Sequence, residues 1–265
     1  MSSPISHQVT EVAAAPTAEA LQAHLSAVYA LAQQNQHVFA SPLGPVAAGD
    51  RSAWLPRFVF FGPGTSDVSW RLALLAGFDA RDLRPAHALL GLVERLAVRA
   101  EEGHGLDLTF IPLVDVAGLT SGTTARNLSA THWAQTAVPE IGLLEKDARS
   151  RGYHGFIRLE AAEPGEEIVT LRVREPAGLV VSPDVELVSS EDCEPFPVRF
   201  ERGAAGVAPA DGPLSIADDL PVQPFELTLR IPAMWPNEIY HEAVGVILTR
   251  FIHRYRAFQA YGLHL

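Results

Sequence analysis

The chain of 265 residues has one cysteine, Cys193, and among its 20 basic residues one lysine, Lys146. A single thiol excludes an internal disulfide and a thiolate metal cluster. There is no Lys/Arg run and the net charge is −11, so the electrostatic footprint of a nucleic-acid binder is missing, and so is attraction to anionic membrane surfaces. No apolar stretch approaches the roughly 18 residues that a spanning helix needs. The N-terminal MSSPISHQVTEVAAAP lacks a basic segment followed by an apolar core. These absences predict a cytoplasmic protein with no nucleic acid and no membrane as partner. The near-absence of lysine reads as genomic composition before function, and there is no internal repeat.

With 48% hydrophobic residues the chain can bury a full core. We expect one domain over residues 1–265, with 1–16 as a flexible lead and 161–224 as a β-rich excursion inside it. Thr17 caps a helix with Leu21, Leu25, Val28, Leu31 and Ala32 at helical spacing, stopping near Asn35. Val38 to Val46 reads as an irregular edge strand, demoted by Pro42 and Pro45, and Ala47 to Pro56 as a loop. Phe58-Val59-Phe60-Phe61 is a buried strand ending at Gly62-Pro63-Gly64, and Val68 to Gly77 reads as a helix after that turn. A second helix runs through His87, Leu90, Val93, Leu96 and Val98. Leu106 to Val114 is a strand, Asp115 to Leu119 a turn, and Thr120 to Trp133 a polar loop long enough to carry function. Pro139-Glu140 opens a helix, Tyr153 to Glu160 and Phe225 to Ile231 are strands, and Asn237 to Tyr261 is the closing helix. Strands alternating with helices predict a three-layer α/β/α domain around a mixed, mainly parallel twisted sheet of about eight strands.

In open α/β sheets ligands bind at the carboxyl ends of the strands, which makes Gly62 to Ser69 the first expected site. Its Thr65, Ser66 and Asp67 form a weak phosphate cradle, without the glycine spacing or lysine of a P-loop. No G-x-S-x-G elbow supports Ser66, Ser69 or Ser129 as a nucleophile. His132 and His154 read as surface or hydrogen-bonded loop residues, and His241-Glu242 as solvated. Trp70, Trp133 and Trp235 read as core or rim packing, and the acidic run Glu163 to Glu167 as a solvated turn.

The order of these pieces resembles the zinc carboxypeptidase superfamily, particularly the short bacterial branch related to succinylglutamate desuccinylase and aspartoacylase. The similarity runs from about Leu21 to the end. Gly62 to Trp70, G-P-G-T-S-D-V-S-W, stands where that family has G-I-H-G-D-E-P-A-G, and Asp115 to Leu119, D-V-A-G-L, looks like N-P-T-G-F. Asn127 to Trp133, N-L-S-A-T-H-W, is matched to D-L-N-R-x-F-W. His154 to Glu160, H-G-F-I-R-L-E, looks like D-G-x-I-D-L-H, and Phe225 to Pro232, F-E-L-T-L-R-I-P, looks like F-x-L-T-L-E-T-P.

The resemblance implies that the first zinc His falls at Gly64, the zinc Glu at Asp67, the second zinc His at Glu160 and the catalytic Glu at Arg230. The substrate-binding Asn and Arg fall at Ser129 and Ala130. A catalytic zinc needs three strong ligands, an open position and a base. Two carboxylates make a poor zinc site and a guanidinium is no base. The expectation is therefore a degenerate member with no catalytic residues, no metal and no cofactor. Its former cleft (Gly64, Asp67, Asn127, Ser129, Glu160, Arg230) would bind a small molecule or peptide, or serve as a scaffold. The alternative is a metal-dependent carboxypeptidase or N-acyl amino acid amidohydrolase with an atypical site. Asp67 and Glu160 are expected to converge, with Arg230 as their counter-ion.

Overall fold

In the computed structural model the described residues are 16–67, 69–121, 128, 138–163, 165–174, 193–202 and 224–262. These residues form ten strands and five α-helices: α1 (Ala18–Gln34), β1 (Val38–Ala40), β2 (Leu43–Ala48), β3 (Arg51–Leu55), β4 (Phe58–Phe61), β5 (Trp70–Leu75), α2 (Arg84–Val98), β6 (Leu106–Ile111), α3 (Val116–Ser121), α4 (Pro139–Arg151), β7 (Gly155–Ala161), β8 (Val169–Arg174), β9 (Val198–Arg202), β10 (Phe225–Ile231) and α5 (Asn237–Gly262).

Eight of the strands make one mixed sheet in the order β1-β4-β6-β5-β7-β10-β8-β9. At its centre β6, β5, β7 and β10 run parallel, while β4 opposes β6 and β8 opposes β10. β6 is buried along its whole length, the mark of a strand covered on both faces. Helices α1 and α5 each pack on α2, making one layer, while α3 and α4 pack with the β2-β3 hairpin. The expected α/β architecture and the four strands placed in its sheet are all present.

The Val38–Val46 run, expected as one edge strand, divides at Ser41-Pro42 into β1, paired with β4, and β2, paired with β3, and three other local readings change. The Ala47–Pro56 segment holds β3, paired with β2, because Arg51 to Leu55 buries alternate side chains (Ala53, Leu55) against the core. Asp115 does not end in a plain turn: its Oδ1 accepts from the Gly118 N–H at 2.9 Å, which starts α3. The third change is the largest. Trp70 to Leu75 is a strand, not a helix, lying between β6 and β7 with Leu72 to Leu75 all at or below 1% exposure. A short apolar run carries no alternation when both faces are covered, so periodicity cannot separate it from one buried helical turn. Within the same α1 to β4 region, the Thr17 cap is as read: its side-chain oxygen accepts from the Ala20 N–H.

A charged rim at the carboxyl edge

Because β4 is antiparallel to β6, the turn after it cannot reach the carboxyl edge of the parallel strands. Phe61 is paired with Asp107 at the start of β6, and the Gly62 N–H donates to the Leu106 carbonyl at 2.9 Å. Gly62 to Asp67 therefore sits at the amino edge, with Gly64 and Asp67, across the length of the strands from Glu160 and Arg230. The expected meeting of Asp67 with Glu160 does not occur.

The residues of that turn have local duties instead. The Thr65 hydroxyl lies 2.5 Å from the Gly62 carbonyl and 3.0 Å from that of Leu106, and Ser69 Oγ accepts from the Ser66 N–H at 2.7 Å. Gly64 has φ +72°, and a Cβ there would stand 2.9 Å from the His104 ring, so glycine answers a backbone demand. Arg71 donates to the carbonyls of Asp67 and Arg151, at 3.1 and 3.0 Å. Arg151 holds both oxygens of Asp107, at 2.7 and 2.9 Å. Burial pushes the Asp107 carboxyl up, with Arg151 opposing it. His154 accepts the Arg71 N–H on Nδ1 and packs on Trp70, as a hydrogen-bonded loop residue should.

The carboxyl edge is built by the loop that follows β5. Gly77, at φ +66°, lets this loop pass so close to the one after β6 that a Cβ would come within 2.7 Å of the Pro112 carbonyl. Beyond it lie two short charged repeats, Asp79-Ala80-Arg81 and Asp82-Leu83-Arg84. In the first, Arg81 Nε donates to the two Asp79 oxygens at 2.8 and 3.0 Å, and the Arg81 N–H to Oδ1 at 2.9 Å. In the second, Arg84 Nε and Nη2 grip the two oxygens of Asp82 at 2.9 and 2.5 Å, and the Arg84 N–H also donates to Asp82. Their surroundings differ. The Arg81 side chain is 63% exposed and that of Arg84 only 12%. Arg84 also donates to the Ala233 carbonyl after β10 and lies 5.6 Å over the ring of the fully buried Tyr240.

Parallel register places Arg230 of β10 directly beside Glu160 of β7, and Arg230 Nε donates to Glu160 Oε2 at 3.3 Å. The other oxygen of Glu160 accepts from Arg158, whose guanidinium lies 4.8 Å over the Phe78 ring of the loop after β5. The expected Arg230–Glu160 pair is thus present, and a second guanidinium joins it from Glu160's own strand. Asn127 and Ser129 lie outside the described residues.

The electrostatics follow from this pairing. Burial raises the Asp79 carboxyl, and the hydrogen bonds and charge of Arg81 overcome it, so that it ends below its ordinary value. The Asp82 carboxylate moves the Arg84 guanidinium up. Burial, with Asp82 and Glu160 nearby, holds the Tyr240 phenol well above its usual range, so Tyr240 is a neutral hydroxyl at any physiological pH. The rim carboxylates Asp79, Asp82 and Glu160 are each engaged by a guanidinium. Among the described residues no group of three or more His, Cys, Asp or Glu could hold a metal ion. Carboxylates already committed to guanidiniums do not fit the donor set of a catalytic zinc.

Sequence reading missed Asp79, Arg81, Asp82 and Arg84. The signal was available: Gly77 after an apolar run of strand length, then two acids, two arginines and Pro85 in the first turn of α2. His241, read as solvated, is half-buried and stacks on His87 with ring centroids 6.4 Å apart.

No family model matches the chain, and no curated protein does. Solved structures do. A metallo-carboxypeptidase from Burkholderia cenocepacia superposes with TM-score 0.64 at 15% identity, covering 92% of this chain and 70% of its own. A metallo-carboxypeptidase from Pseudomonas aeruginosa, in complex with (2-guanidinoethylmercapto)succinic acid, gives TM-score 0.60 at 13% identity, covering 89% and 68%. Thrombin activatable fibrinolysis inhibitor gives TM-score 0.56 at 12% identity, covering 88% and 73%. The chain has the zinc carboxypeptidase fold.

Proposed function

We propose that this chain, built on the zinc carboxypeptidase fold, is a non-catalytic relative of the metallo-carboxypeptidases that uses the charged carboxyl edge to bind a small molecule or peptide. The observation that carries the reading is the pairing of Arg230 with Glu160 at adjacent strand ends. The sequence resemblance assigns these two positions to the catalytic glutamate and a zinc histidine. A guanidinium keeps its proton at neutral pH and accepts no hydrogen bond, so it cannot activate water. Glu160, with one oxygen toward Arg158 and the other toward Arg230, has its charge balanced by protein cations, at a position that the resemblance gives to a metal ligand.

The rim is suited to recognition. Arg81 projects into solvent on a carboxylate clamp that limits its rotamers, and Met234 and Ile239, 63% and 42% exposed, offer apolar surface on the neighbouring loop and helix start. The fold resemblance to named peptidases favours the other reading, a hydrolase of peptide or amide bonds with an atypical site. Elemental analysis of protein purified without chelator or metal-capturing tag, together with a panel of C-terminal peptides and N-acyl amino acids, decides between them. We expect substoichiometric metal and no turnover. Stoichiometric metal together with turnover lost in Asp82→Ala would overturn the proposal.

A further inference from the structure

The three helices of one layer meet at a line of histidines: His24 on α1, His87 on α2 and His241 on α5. His24 Nδ1 and His87 Nδ1 are 3.0 Å apart, and His24 Nε2 is 3.2 Å from a carboxylate oxygen of Glu94 on α2. His87 is 9% exposed and stacks on His241 with the ring planes 18° apart. The tautomers follow from the partners. With Glu94 ionised, His24 donates from Nε2, so its Nδ1 accepts from the Nδ1–H of His87. The remaining nitrogen of His87, Nε2, is then a bare lone pair, and it is buried without a hydrogen-bond partner, as is His241 Nε2.

We propose that this histidine seam is an acid-operated latch: it closes α1 and α5 onto α2 only while His87 is neutral, and mild acid opens it. A proton taken up by His87 goes to Nε2, the one free position, with no bond broken. It converts the ring into an imidazolium buried between two other imidazoles. The charged groups around the seam do little to compensate. Glu94 is already engaged by His24; Arg95 is held by Glu102 and approaches Gly245 of α5, adding positive charge; Glu238 on α5 acts on His241. Burial, and the charges that His24 and His241 would carry, depress His87 to about 4. A histidine freed from the seam titrates at its ordinary value near 6.5.

The sign is that of a depressed base. Above about pH 6.5 neither state binds the proton and the latch is closed at full strength; between 6.5 and 4 the open state alone binds it, so each step toward acid favours opening. The readout reaches the rim. Arg84, which clasps Asp82 and the Ala233 carbonyl, stands one turn before His87 on α2, and Tyr240 precedes His241 on α5. Opening therefore loosens both ends of the contact that seats the loop after β5.

Hydrogen exchange of the full chain at pH 7.5 and 5.0, corrected for intrinsic rates, tests the latch. The expected result is an opening constant for α1, α2 and residues 76–83 that rises roughly tenfold or more between the two conditions, while β6 and β7 are unchanged. In His87→Gln that difference should vanish. Should this variant not fold, titration of 13C-histidine-labelled wild type carries the test: one imidazole must stay neutral below pH 5. An equal pH response in His87→Gln, uniform loosening of sheet and helices alike, or ten histidines all titrating near 6.5 would overturn the latch.

Discussion

The repeats Asp79-Ala80-Arg81 and Asp82-Leu83-Arg84 share spacing and two-pronged contact, so comparing them contrasts an exposed clamp with one that is buried and further tied to Ala233 and Tyr240. Replace each arginine by methionine, which keeps an unbranched apolar stem and removes the fork. At Arg84 the change removes a bidentate pair whose partners are 12% and 19% exposed, a donor to the Ala233 carbonyl and the cation over Tyr240. A charge-assisted hydrogen bond contributes about 1.5–3 kcal/mol and a largely desolvated cation–π contact up to about 2 kcal/mol. Because these share one side chain they do not simply add, and Arg84→Met should destabilise by about 2–4 kcal/mol. For a chain of this length that lowers Tm by about 4–15 °C. Arg81 makes the same fork in open water, where a long side chain is fixed for little screened attraction, and Arg81→Met should leave Tm unchanged within error. Thermal melts and urea unfolding in low and high salt provide the comparison. Equal losses at the two positions, or an Arg84→Met variant as stable as wild type, would refute the buried setting of Arg84 and its added contacts as the origin of the difference.

Two further substitutions probe the two edges of the sheet. Arg230→Ala leaves Glu160 paired with Arg158 and should cost about 1 kcal/mol or less; Arg230→Glu sets a second carboxylate beside Glu160 and should cost more, in chelator and in added zinc alike, as read by thermal melts. Gly64→Ala should destabilise by about 1–3 kcal/mol in equilibrium unfolding, because it forces a β-carbon to positive φ against the His104 ring. A neutral result there would mean that the turn is free to rearrange.

Much of the sheet could be read from local pattern. Phe58-Val59-Phe60-Phe61 and Phe225 to Ile231 are β-rich runs punctuated by Gly or Pro, and chemistry of that kind acts over a few residues. Trp70 to Leu75 could not be read in the same way, since its six residues carry neither alternation nor a helix length, and only its neighbours β6 and β7 settle its state. That one misreading moved the expected site by a whole strand and carried Gly64 and Asp67 to the wrong edge. Glu160 and Arg230 survived because each lies at the end of a strand recognised correctly, and parallel pairing then joins residues 70 positions apart. The second partner, Arg158, was hidden for a different reason. It lies two residues from Glu160 on one strand, so its side chain shares that face, yet sequence alone does not say that a face holding two charges is where the loop after β5 comes to rest.

In the two clamps and the strand-end cluster, four guanidiniums, Arg81, Arg84, Arg158 and Arg230, stand against three carboxylates, Asp79, Asp82 and Glu160. Within these clamps one guanidinium charge is unmatched, in a molecule whose overall charge is −11. The two fields have different reach. Beyond a Debye length of about 10 Å at 0.1 M salt, an approaching anion senses little of either; in dilute salt it meets the repulsion of the whole molecule before the attraction of the rim. An anionic visitor would therefore associate faster as salt is first added, opposite to the behaviour of proteins that draw their ligands in from a distance.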